Sequence, residues 1–179
     1  MARAGGRVIE TERLVLRGWS ADDRDDFWRL GADPAVMEHL PALDRAGSDA
    51  LIGRLQALQD SHGHTFWAVE RKEDRRVLGF CGVIPPREPL SETEIGWRLA
   101  RDAWGRGYAG EAAQASLAWA WANLPGDSVV AITTPGNARS QALMVRLGME
   151  RAPGEDFDHP SLPQGHPLRP HVLFRIHRP

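Results

Sequence analysis

The chain reads as an α+β fold, a mixed, mostly antiparallel central sheet flanked by helices, and three observations predict it. Strand-like and helix-like segments follow in the order strand, two helices, three strands, helix, strand, helix, strand. Turn chemistry separates them at short intervals, as at Lys72, Glu73 and Asp74, at Pro85 and Pro86, and at Pro135 and Gly136. Short connections between consecutive strands favour antiparallel pairing, and a helix between two strands supplies the crossover that a parallel pair needs.

Each element has its own signal. Residues 13–19 form a first strand, and Ser20 is placed to cap a helix through about residue 30, with Phe27 and Leu30 turned inward. Ser48 is placed to cap a second helix, in which Leu51, Ile52, Leu55 and Leu58 make one apolar stripe. Residues 66–71 and 76–84 form a hairpin. Residues 94–99 alternate polar or small with apolar, as a strand with one face on a core requires, and a glycine-rich turn then leads into an alanine-rich helix over 111–124. A strand over 129–133, a short amphipathic helix ending at Gly148, a Pro- and Gly-rich stretch over 153–170 and a strand over 171–177 complete the order. No repeat or linker divides residues 1–179, which are expected to form a single domain able to bury about 70% of their unfolded surface.

Composition excludes several classes. Lys plus Arg is 22 against 24 acids, a net of −2, so no general affinity for nucleic acid or an acidic membrane is expected. Cys81 is the one cysteine, which rules out an internal disulfide and suits a reducing, cytoplasmic setting. No run of 18 apolar residues and no apolar N-terminal segment occurs, so neither membrane spanning nor secretion is expected. His62 and His64 have no third ligand at metal spacing, and no metal is predicted.

The chemistry concentrates in residues 92–110. Glycines let a backbone approach a ligand closely, and the first N–H groups of the following helix have no internal partners, so the turn at Gly105, Gly107 and Gly110 is built to hold an anionic phosphate. These three also spell the dinucleotide fingerprint G-x-G-x-x-G, but the context fails. The next strand ends in Thr133, Thr134 and Pro135, with no acid for a ribose, and Asp127 precedes that strand.

Asn137, Ser140, Leu143, Arg146, Gly148 and Met149 form a second motif. Together the two segments resemble the GNAT superfamily of acyl-CoA-dependent N-acetyltransferases. Thr11, Glu12, Arg13, Leu14, Val15, Leu16 and Arg17, the run from Asp33 and Pro34 to Met37, and Glu94, Ile95, Gly96 and Trp97 further resemble its Rim-type branch, named for acetylation of ribosomal-protein N-termini. The resemblance covers about residues 9–175.

That resemblance implies a site. Acetyl-CoA would be the cosubstrate, held by Trp104, Gly105, Arg106, Gly107, Tyr108, Ala109 and Gly110, with Asn137 on its pantetheine arm. Arg101 and Arg106 are candidates for the coenzyme phosphates, against the alternative of solvated loop arginines. A backbone N–H near Leu99 would receive the oxyanion. Glu94 stands where many members place the base that takes the amine proton, with Glu92 in reserve, and an ion-pair role is the alternative for Glu94. Two departures follow from the family pattern: Trp104 replaces the usual Gln or Arg, and Met144 stands where a tyrosine acid is common. Ser140 is the replacement acid, or a helix cap. Trp28, His39 and Trp67 are expected along the acceptor entrance unless core packing claims them. Trp119 and Trp121, two apart on one helix, cannot both face one core and suggest a subunit contact, hence a homodimer. The expected acceptor is a primary amine, either a protein N-terminus or a small molecule, attacked directly in a ternary complex. The rival expectation is a non-catalytic acyl-CoA-binding or sensing module.

Overall fold

The computed structural model describes residues 6–179, Arg7 by its backbone alone. It opens with a hairpin, β1 (Arg7–Glu10) and β2 (Leu14–Arg17). The sequence shows only the second of these, because four residues around Val8 and Ile9 are too few to display a period. A 3-10 turn, Ala21–Asp23, leads into α1 (Arg24–Ala32). Ser20 does hold this start, as a donor: its N–H and its hydroxyl both bond Asp23 Oδ2, at 2.7 and 2.9 Å.

The second helix, α2 (Arg45–His62), corrects the sequence reading. Asp44 is its cap, accepting the Gly47 N–H at 2.7 Å, while Ser48 lies inside the first turn and is buried. A carboxylate at the N-cap also meets the helix dipole, which a serine cannot do. The strands β3 (Phe66–Arg71), β4 (Val77–Ile84) and β5 (Thr93–Leu99) follow as a meander. Then come α3 (Tyr108–Asn123), β6 (Ser128–Thr133), α4 (Ala138–Arg146), the two-residue strands β7 (Glu150–Arg151) and β8 (Phe157–Asp158), and β9 (Pro170–His177).

Among the described residues the sheet runs β1-β2-β3-β4-β5-β6-β9-β7, with β8 also on β9. Every neighbouring pair is antiparallel except β5 and β6, the pair that α3 connects. On one face Val69, Cys81, Ile95 and Leu99 pack against Ala112, Ala113 and Leu117 of α3 and Met144 of α4. On the other, Trp19, Ala68 and Phe80 receive Phe27 of α1 and Ile52 and Leu55 of α2. The Val, Leu, Ile, Phe and Met side chains among them each contribute about 1.5–3 kcal/mol when removed from water. Trp119 is half-buried edge-on to Trp67 at 5.0 Å, and the Arg178 guanidinium covers Trp121 at 5.2 Å. No described helix is long and apolar enough to cross a membrane.

One buried ion cluster ties β2, β3 and the start of α1 together. Arg17 donates to Asp23 at 2.8 and 2.9 Å and to Glu70 at 2.8 Å, and all three side chains are buried. Burial alone would raise the Asp23 carboxyl, but hydrogen bonds from Arg17 and Ser20 outweigh it and hold it below its ordinary value. Arg17→Met strips Asp23 of its guanidinium, and chemical denaturation at neutral pH should show a loss of about 3–5 kcal/mol. Because the folded carboxyl titrates below the unfolded one, its contribution is full above about pH 4 and disappears as pH falls through the folded value. The stability gap between wild type and Asp23→Asn should therefore narrow in melts taken down through that acid range.

Candidate functional site

A break in the sheet defines the site. β5 and β6 pair only at Thr93 with Val129 and at Glu94 with Val130, and then diverge. Ala100 donates its N–H to Leu78 O on β4 at 2.8 Å, so by strand alternation the N–H and C=O groups of Trp97 and Leu99 face the gap. The Leu99 carbonyl is taken by the Trp104 indole N–H at 2.8 Å. Its N–H stays available to whatever enters.

The glycine turn borders this gap. Gly105 and Gly107 sit at φ 71° and 80°, left-handed values that side chains rarely adopt, and Gly107 is the N-cap of α3. This cap starts the helix three residues before the sequence reading placed it. The first helical bond is Glu111 N–H to Gly107 O at 3.0 Å, so the amides of Tyr108, Ala109 and Gly110 have no helical acceptor. The N-terminal hairpin fixes the turn from behind. Glu111 accepts from Thr11 Oγ1 at 2.6 Å, from Arg13 N at 2.9 Å and from Arg13 Nε at 2.6 Å. Arg13 also donates to Arg106 O at 2.9 Å and stacks 4.6 Å from the Tyr108 ring centroid.

Gap and turn share one cavity of about 790 Å³. Leu99, Trp104, Gly105, Gly107, Tyr108, Ala109, Gly110 and Asn137 line it, as do Glu94, Ser140 and His39. Arg101 and Arg106 do not. Arg101 lines a separate cavity against α1, and Arg106 is exposed, with its carbonyl turned to Arg13. The arginines that line the main cavity on the α4 side are Arg139, stacked 3.9 Å from the Trp104 ring centroid, and Arg146. Seven residues apart, they lie on one side of α4, a spacing visible in the sequence once the helix is placed.

Glu94 is buried and accepts from Arg87 Nη2 at 2.7 Å. Burial raises its carboxyl, and the Arg87 charge only partly opposes this. Glu92 stands outside the lining. It bonds Arg175 at 2.7 and 2.8 Å and accepts the Ser128 hydroxyl, and these Arg175 bonds hold it below its ordinary value. Asn137 caps α4, accepting the Ser140 N–H at 3.1 Å while its Nδ2 donates to Thr133 Oγ1 at 2.9 Å. Ser140 is therefore not the cap. Met144 is buried behind it.

The acceptor side differs from the sequence reading. Trp67 is 0% exposed on the α3 face, donating Nε1–H to Gln59 Oε1 at 2.8 Å, and Trp28 is half-buried on α1 outside the lining. Alternation along β3 turns Phe66, not Trp67, toward this side. Phe66 stacks on Phe80 at 5.3 Å and lies over Gly96, where a Cβ would come within 2.8 Å of the ring. His39 remains on this wall, 3.1 Å from Thr134 Oγ1. His159 and His171 join it, with ring centroids 5.0 Å apart. The Arg169 carbonyl, 3.0 Å from His171 Nδ1, can only accept, so that nitrogen carries its proton. Arg98 also lines the cavity, buried between Phe27 and Phe80 at 4.8 and 4.9 Å. Among the described residues no group of three or more His, Cys, Asp or Glu is placed to hold a metal.

A family model for an acetyltransferase (GNAT) domain matches residues 13–150. The uncharacterised YkkB of Bacillus subtilis is 33% identical over 146 residues, covering 79% of this chain and 84% of its own. The crystal structure of an acetyltransferase from Agrobacterium tumefaciens has a TM-score of 0.79 at 26% identity and covers 99% of this chain and 96% of that one. RimL, described as a ribosomal L7/L12 α-N-protein acetyltransferase in complex with coenzyme A, shares the fold at a TM-score of 0.77 and 11% identity, covering 96% of this chain and 98% of that one. Matched over most of its length by the domain model, and with the glycine turn and parted strands in place, the chain belongs to the GNAT family of N-acetyltransferases.

Proposed function

We propose that the protein moves the acetyl group of acetyl-CoA to a primary amine by direct attack in a ternary complex, with Glu94 receiving the ammonium proton. One observation carries this reading. A single cavity joins the free amides at the start of α3 to a buried carboxylate, a phosphate holder and a base in one enclosure.

The amides of Tyr108, Ala109 and Gly110 take the pyrophosphate, with Arg139 and Arg146 supplying the side-chain charge that the sequence reading gave to Arg101 and Arg106. The pantetheine arm runs in the gap as a substitute strand, along a wall that Asn137 shapes by capping α4. The thioester oxygen then meets the Leu99 N–H. An alkylammonium of pKa about 8 to 10 is mostly protonated at neutral pH, and Glu94, raised by burial, takes its proton directly or through water. The nitrogen lone pair forms the new N–C bond, the C–S pair departs as thiolate, and Ser140 or water returns a proton to sulfur. A non-catalytic acyl-CoA-binding module is the second reading, favoured by Met144, whose thioether has no proton to give.

Gly107→Ala tests the cofactor half. Alanine at φ 80° is strained by about 1–2 kcal/mol and disturbs the amides that face the phosphate. Calorimetric titration should show coenzyme A bound about tenfold or more weaker, given about 1.5–3 kcal/mol per charged hydrogen bond. Unchanged affinity in the folded variant would remove the phosphate from this turn.

Glu94→Gln tests the chemical half. Coenzyme affinity should hold while kcat, read as thiol release, falls about 10²-fold at neutral pH. The deficit should shrink as pH rises, since free amine then forms without help. An equal loss at every pH would make Glu94 an acceptor-binding group instead.

A further inference from the structure

Among the described residues two arginines are buried in this sheet, Arg17 and Arg98, and their surroundings differ. Arg17 meets two carboxylates, Asp23 and Glu70. Arg98, 6% exposed, meets none: its Nε and Nη2 have no partner among the described residues, and Nη1 lies 3.4 Å from the Met37 thioether, a weak acceptor. The Phe27 and Phe80 rings offset only part of the desolvation. Arg98 nevertheless lines the cavity, on the same face of β5 as Glu94 and next to Leu99.

We infer that the acceptor supplies the missing counter-charge: the substrate is a small α-amino acid whose carboxylate pairs with Arg98. This rests on the acetyltransferase reading. A carboxylate at Arg98 brings the α-amine beside a thioester held at Leu99, and Glu94 is on hand for the ammonium proton. The buried Glu94 carboxylate, bonded at Oε2 by the exposed Arg87, and the buried, unpaired Arg98 guanidinium stand ready for one ammonium and one carboxylate. Polyamines and aminoglycosides present several ammonium groups, for which the buried part of the cavity offers, among the described residues, the Glu94 carboxylate alone. Phe66, Phe80 and Leu162 give the remaining wall an apolar patch beside His39, His159 and His171, which suits an apolar or aromatic side chain. The cavity of about 790 Å³ must also hold the pantetheine arm, so the acceptor is compact. The products are an N-acetyl amino acid and coenzyme A thiol.

The test compares L-phenylalanine with phenethylamine, spermidine and a phenylalanyl tripeptide. Two readouts are taken on wild type, Arg98→Met and Arg98→Lys: thiol release from acetyl-CoA, and calorimetric binding of each amine to protein saturated with coenzyme A. Phenylalanine should exceed phenethylamine about 10- to 100-fold in kcat/KM and in affinity, the range expected for one charged hydrogen-bonded pair. Arg98→Met should bring that ratio within a few-fold, mainly through KM, and Arg98→Lys should fall between. Since an apolar residue replaces an uncompensated charge, Arg98→Met should melt no lower than wild type. Equal or better use of phenethylamine, spermidine or the tripeptide overturns the inference, as does an unchanged ratio or a clear drop in Tm in Arg98→Met. If no amine releases thiol, the acetyltransferase reading fails by itself. The calorimetric preference for phenylalanine, present or absent, then decides whether Arg98 reads a carboxylate.

Discussion

The structure depends on two strands that stop pairing. A sheet interior normally satisfies every backbone donor, and leaving strand amides unpaired there is tolerated only where a ligand or water can reach them. β6 keeps β9 along its whole length but keeps β5 at only two positions, so the opening is not a frayed edge but a split between two well-paired halves. Trp104 helps to hold it open by taking the Leu99 carbonyl, which a closing strand would need. On the far side, Asn137 bonds Thr133 and caps α4 with the same amide, tying the end of β6 to the helix beside it. The Trp104 ring is also the platform for Arg139.

The glycine turn needs a second restraint, because left-handed backbone is free to move unless something grips it. That grip comes from residues far away in sequence. Glu111 draws donors from Thr11 and Arg13, and Arg13 reaches on to Arg106 O and Tyr108. Burial would raise the Glu111 carboxyl, but these donors hold it lower, so it stays an acceptor for the clamp. The N-terminal motif therefore serves the glycine turn without facing the cavity.

What was legible in the sequence follows from the range of the forces involved. The glycine turn and α4 depend on local backbone geometry and an adjacent cap, and both stand where the spacing put them, apart from the earlier start of α3. The side of a strand is a different matter. Alternation says that Phe66 and Trp67 face opposite ways, but not which way the cavity lies, and Trp67 went to the α3 face. Capping competition was equally hidden, since Asp44 and Ser48 are both good caps and only the chain path chooses between them. Arg98 was invisible as a candidate. A strand arginine reads as solvated until the packing of α1 shows that it is enclosed.

Cys81 carries a practical consequence. It is 0% exposed, close to Ser116, and burial pushes its thiol up to about 12, so it is neither reachable nor ionised under ordinary assay conditions. With no second cysteine in the chain, the native protein is silent toward thiol-reactive dyes. Any colour developed during turnover then comes from liberated coenzyme alone. The same silence makes an introduced surface cysteine a uniquely addressable position for a fluorophore or spin label, with no background to subtract.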